Sequence, residues 1–121
     1  MRHSAAIQFK PVIFTAGEYT LTQDDVNQTL VVDEATDVVI NTPDLTMEGG
    51  DFIGIKQANT GKFTLVEDGN TLVSIGSLIS GGQGAYVSLV KTSTGYDVVG
   101  STEISGGGGA FIPLAGTDGL S

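Results

Sequence analysis

Apolar and polar residues alternate with a period of two along most of the chain, and glycine, asparagine or aspartate interrupts the alternation every few residues. The pattern is clearest over residues 51–100. It predicts strands at residues 52–57, 62–66, 71–75, 85–91 and 96–99, separated by Asn59-Thr60-Gly61, Glu67-Asp68-Gly69-Asn70, Gly81-Gly82-Gln83-Gly84 and Ser93-Thr94-Gly95. These connections suit positive φ or a tight reversal, so antiparallel pairing is the simplest topology. Gly54 inside a strand implies a close approach, such as an aromatic ring crossing it.

Upstream, Val12, Ile13 and Phe14 are expected to form the first buried segment. Thr22 is placed to cap one helical turn over Asp24, Asp25 and Val26, with Leu21 and Val26 inward. Strands follow at residues 28–33 and 36–41. The unbroken run Val38-Val39-Ile40 predicts burial on both faces, under a second sheet or another subunit. Ser77-Leu78-Ile79-Ser80 is too short for an element of its own and is expected to cross one end of the domain. The expected fold is all-β: a compact antiparallel β-sandwich or prism-like module of about 8–9 short strands, followed by a Gly-rich linker.

The organisation reads as an N-terminal arm or edge strand (residues 1–10), an antiparallel β domain (11–100), a Gly-rich linker (101–109), and a docking tail or the start of a further shaft or domain (110–121). Ala110 to Gly116 is an apolar patch isolated behind Gly106 to Gly109, and such a patch has to dock on the domain, a sister subunit or a partner. Ile7, Phe9, Val38, Val39, Ile40, Phe111, Ile112 and Leu114 are the candidate interface residues.

Composition narrows the choices. With Lys+Arg 5 against Asp+Glu 14 the net charge is -9, and no Lys or Arg falls between Lys10 and Lys56. Nucleic-acid binding is not expected, because phosphate neutralisation needs clustered basic residues. Cysteine is absent, which removes disulfide and thiolate chemistry. No apolar run reaches the roughly 20 residues of a membrane helix, and no secretion signal is recognised at the start of the chain. The expectation is a protein made in a cytoplasm.

Candidate chemistry is sparse. His3 is the only histidine, so one chain assembles neither a histidine-based zinc site nor a Ser-His-Asp triad. The carboxylate pairs Asp24/Asp25 and Glu67/Asp68 sit in predicted turns, not on facing strands where glycosidase-type separations are held. Asp44, Glu48 and Asp51 are weak candidates for a hard-cation site, without the ligand register of a calcium loop. Gly106 to Gly109 is not a phosphate loop, lacking a following Lys-Ser/Thr. Tyr19, Tyr86 and Tyr96 are candidate glycan-stacking rings. No catalytic residue and no cofactor is expected.

Two patterns carry a resemblance. Residues 19–33, with the short apolar strand ending at Pro43, and then Gly50-Asp51-Phe52-Ile53-Gly54-Ile55-Lys56-Gln57, Gly61-Lys62-Phe63-Thr64-Leu65-Val66 and residues 86–100, together resemble a small β module of bacteriophage tail-fibre and related virion appendage proteins. The resemblance covers about residues 15–100, and the tryptophan usual near Val98 in that family is missing here. It implies a non-enzymatic structural component of a phage virion, in a tail fibre, spike or head-attached fibre. The module would be a homotrimer in contact with other virion proteins, made in the host cytoplasm and resident in the virion. The alternative is a carbohydrate-binding module recognising a host surface glycan.

Overall fold

The computed structural model describes residues 9–103. Nine strands follow in order: β1 Phe9–Pro11, β2 Glu18–Thr20, β3 Thr29–Val32, β4 Val38–Pro43, β5 Phe52–Gln57, β6 Phe63–Asp68, β7 Thr71–Ser74, β8 Tyr86–Lys91 and β9 Gly95–Gly100, with a 3-10 turn at Gln23–Asp25. They form two sheets. Sheet A has the order β1-β3-β5-β8-β9-β7, and sheet B has the order β2-β4-β6.

Pairing overturns the expected antiparallel sandwich or prism. β1, β3 and β5 are parallel neighbours in sheet A, and β2, β4 and β6 are parallel neighbours in sheet B. The chain therefore winds from one sheet to the other and back, and each turn stacks on the previous one: the fold is a β-solenoid. Phe9 lies opposite Thr29 and Thr29 opposite Gly54, so a turn takes roughly 20–25 residues. Alternation with a period of two describes the faces of a strand and is silent on its partner's direction, and a Gly or Asn corner serves a solenoid as well as a hairpin. True hairpin geometry occurs only at β8–β9 among the named strands, which pairs antiparallel within itself and, through β8, with β5.

Inward residues of successive coils form ladders. Leu30, Ile55 and Val87 are neighbours across β3, β5 and β8; Ile53, Leu89 and Val98 across β5, β8 and β9; Ile40 and Leu65 across β4 and β6. All are in the core, most fully buried, and each such side chain contributes about 1.5–3 kcal/mol. Val38 and Ile40 point into this core while Val39 points out between Glu18 and Thr64, half-buried. The run Val38-Val39-Ile40 is thus buried on one face only. Val12 is buried, but Ile13 is 83% exposed and Phe14 half-buried, so the expected buried segment there contributes a single fully inward residue. Leu21 is inward as expected, and Val26 only half-buried.

The corners are held by side chains reaching from one coil to the next. On one side, Gln23 and Thr46 exchange hydrogen bonds of 2.7 and 3.0 Å, and Asn27, at φ 62, accepts from the Phe52 N–H at 3.1 Å and donates to Asp51. On the other side, the Gly61 N–H donates to Glu34 O, Asn59 donates to Asp33, and the Lys62 N–H donates to Asp37. A Cβ on Gly61 would run into the backbone carbonyls of Glu34 and Thr36. These corners stack closely only because that residue has no side chain.

The stack is closed after β6 by two devices. Ser77-Leu78-Ile79-Ser80 lies along the free edge of β6: the Leu65 N–H donates to Leu78 O, and the Ser80 N–H donates to Phe63 O. In sheet A, β8, β9 and β7 continue beyond β5, with Leu72, Val87, Leu89, Tyr96 and Val98 facing the core. Tyr96 is fully buried and its hydroxyl donates to Pro43 O at 2.8 Å, which ties this extension to the end of β4 in sheet B.

Candidate functional site

The most polar buried feature among the described residues is at the first coil. Lys10 sits opposite Leu30, an inward position, and Tyr19 sits opposite Ile40, also inward. Where later coils carry aliphatic side chains, the first carries an ammonium and a phenol. Both converge on Asp25, which the 3-10 turn delivers fully buried: Lys10 Nζ donates to Oδ1 at 2.6 Å, and Tyr19 OH and the Thr22 N–H donate to Oδ2 at 2.7 and 2.8 Å.

Burial alone would raise the Asp25 pKa, but hydrogen bonds from Lys10, the Thr22 N–H and Tyr19 outweigh it and hold the carboxyl below its ordinary value. Burial and the bond to Asp25 push the Tyr19 phenol up to about 12. Phe14 packs edge-on against Tyr19, ring centroids 6.2 Å apart. Every oxygen of Asp25 is engaged, so the cluster is a seal on the core and not a poised acid or base. Asp25 does lie in a turn, as the sequence predicts, but one that carries its side chain into the core. The signal was present in Lys10, the last basic residue before Lys56, standing at an alternating position two residues from buried Val12.

The three carboxylates proposed for a hard cation do not converge. Asp44 pairs with Lys91 at 2.8 Å, Asp51 accepts from Asn27 and from the Glu48 N–H, and Glu48 is exposed. Among the described residues no group of three His, Cys, Asp or Glu is gathered for a metal.

The tyrosines separate sharply. Tyr96 is inside, with Lys91 Nζ 5.4 Å from its ring centroid, and burial raises its pKa against the opposing Lys91 charge. Tyr19 belongs to the Asp25 cluster. Tyr86 is 41% exposed on the outer face of sheet A and lies across Gly54, where a Cβ would meet its hydroxyl and ring.

Of the interface candidates, Val38 and Ile40 are in the core and unavailable, Val39 is half-buried on sheet B, and Phe9 is exposed on β1; Ile7, Phe111, Ile112 and Leu114 lie outside the described residues. Among the described residues the exposed large apolar side chains are instead Phe9, Ile13, Val73, Ile75, Tyr86 and Val99, in or beside the strands of sheet A, together with Val66 on β6.

Charge follows the same division. The strands of sheet A carry Lys10, Lys56, Lys91 and only one acid, Asp97, in a chain of net charge -9. Acids gather at the corners, where Asp24, Asp33, Asp37, Asp44 and Glu48 are exposed, and on sheet B, with Glu18, Glu67 and Asp68. The outer face of sheet A therefore carries one carboxylate, Asp97, and most of the exposed large apolar side chains, on an otherwise acidic molecule. No family model, curated protein or solved structure matches the chain.

Proposed function

We propose that the chain is a non-enzymatic structural module of a bacteriophage virion appendage, in a tail fibre, spike or head-attached fibre, acting as a laterally associating connector or attachment unit. The observation that carries this reading is the outer face of β1, β3, β5 and β8 in sheet A, which exposes Phe9 and Tyr86 and has no Asp or Glu among its strands. Copies meeting on that face bury apolar surface while their acidic corners stay in water. A homotrimer meets this condition with the three acidic sides turned outward, and the resemblance of the sequence to fibre modules supports the same stoichiometry. On this reading the protein resides in the virion beside other virion proteins.

The test is the solution mass of the full chain by size exclusion with light scattering over a wide concentration range. A trimer that Phe9→Glu dissociates is the expected result. A strict monomer at every concentration would overturn the reading.

A second reading, recognition of a host surface glycan, is favoured by one observation: Tyr86 presents a half-exposed ring on the same face, flanked by Lys56 and Ser88. Tyr86→Leu keeps a cover over Gly54 and removes the aromatic surface. Binding on a glycan panel that this change abolishes would establish the second reading.

A further inference from the structure

Val73, Ile75 and Val99 lie together at the edge of sheet A farthest from β1. β7 is the terminal strand, Ser74 pairs with Val98, and the next residues, Ile75 and Val99, stand side by side. Ile75 is completely exposed, and Val73 and Val99 are each more than half exposed. Ile75 and Val99 line a surface hollow of about 410 Å³ whose rim includes Thr102 and Glu103. Three adjacent exposed aliphatic side chains at a sheet edge, Val73 on β7, Ile75 just beyond it and Val99 on β9, are an aggregation liability unless something covers them.

The cover is indicated by where the described chain leads. Glu103 is pinned beside the hollow: its N–H donates to Ile79 O, its carbonyl accepts from the Ser77 N–H, and its carboxylate pairs with Lys62. Eight residues further on is Phe111, opening the run Phe111-Ile112-Pro113-Leu114, and no charged residue occurs between Glu103 and Asp118. A Gly-rich tether of that length has a root-mean-square reach of about 16 Å. The hollow is within that distance of Glu103. The Phe9 end of the sheet lies five strand spacings from β7, about 24 Å away. An uncharged apolar segment can also settle beside Asp97 and Glu103 without repulsion. Tethering raises the local concentration of the segment to roughly the millimolar range, ahead of any second copy at ordinary protein concentrations.

We propose that Phe111-Ile112-Pro113-Leu114 docks on the Val73/Ile75/Val99 patch of its own chain and covers the hollow beside Glu103. This uses only the C-terminal corner of sheet A and leaves Phe9 and Tyr86 free. It does not depend on the appendage reading.

The chain has no cysteine, so a single introduced thiol reports cleanly on cover. In the full chain, the alkylation rate of Ile75→Cys is compared with that of Val66→Cys, a site on sheet B that is less exposed in the described domain. Docking predicts that the Ile75→Cys thiol reacts about tenfold more slowly, as when the open state is about 10% populated. Adding Phe111→Ser and Ile112→Ser should restore the rate, and the protection should not vary with protein concentration. Val99→Cys serves in the same way if Ile75→Cys does not give the native circular dichroism spectrum.

A thiol at position 75 that reacts at least as fast as that at 66 overturns the proposal. So does protection that grows with protein concentration, which assigns the patch to a second copy, or protection that survives the Phe111 and Ile112 changes.

Discussion

The two ends of the solenoid stop the same hydrophobic core by opposite means. At the first coil the inward ladders finish in Lys10 and Tyr19, both bonded to buried Asp25. At the last, Ser77 to Ser80 lies on the β6 edge while the β8–β9 hairpin and β7 extend sheet A with an aliphatic and aromatic inner face. Stacked repeats need distinct terminal units because an internal coil cannot cover its own outer side. One end here is closed by polar chemistry with a defined geometry, and the other by added apolar surface. The first is the more brittle to substitution, since removing one partner strands a buried charge.

Lys10→Met should therefore have the largest effect, about 3–5 kcal/mol, because it leaves a fully buried carboxylate without its cation; the urea midpoint at pH 7 measures it. The pH dependence sharpens the point. Asp25 has a lowered pKa in the folded protein, so its contribution is present above the unfolded value of about 3.9 and is lost as pH falls through the lower folded value. Tyr19 is raised to about 12, so its contribution is present below the unfolded value near 10 and is lost as pH rises through 12. Tyr19→Phe should flatten the alkaline limb of the stability profile and, by removing one of the bonds that hold the Asp25 carboxyl down, weaken the acid limb without abolishing it.

Gly61→Ala tests the coils between the two ends. Its Cβ meets the Glu34 and Thr36 carbonyls, and a loss of about 2–3 kcal/mol in chemical denaturation is expected. At the closing end, Tyr96→Phe removes the hydroxyl that reaches Pro43 O and should lower stability by about 1 kcal/mol, less than any change at the Asp25 cluster. Val39→Thr, on the outer side of sheet B, should change the thermal midpoint by the equivalent of only about 0.5 kcal/mol or less. A large effect there would mean that a second layer covers that face after all.

How much of this was legible in the sequence depends on the range of the interaction. Strand positions in the second half could be read because alternation and turn residues are local, and β5 occupies the predicted residues 52–57. The close approach at Gly54 was also readable, since a glycine between Ile53 and Ile55 demands a neighbour, which is Tyr86. Pairing direction was not. Leu30 stacks on Ile55, Tyr19 on Ile40 and Ile40 on Leu65, but these residues share only inward apolar bulk, with no repeated motif to announce a coil. The Asp25 cluster escaped for the same reason. Its members come from β1, β2 and the turn after β2, and only the winding of the chain brings them together.

The Gly61 corner and its neighbours also set a rule for length. Apart from the Tyr96–Pro43 hydrogen bond and the Lys91–Asp44 ion pair, which reach back to the end of β4, the contacts between the two closures run from one coil to the next. A further unit of roughly 20–25 residues that supplied its own inward aliphatics and corner amides, with a carbonyl and a carboxylate to replace Pro43 O and Asp44 as partners of Tyr96 and Lys91, could be spliced in between β4 and β5, moving the two ends apart by about 4.8 Å. The same insertion placed after β6 would find its hydrogen-bonding edge already taken by Leu78 and Ser80. The fold works as a ruler that can be lengthened from within and not from its tip.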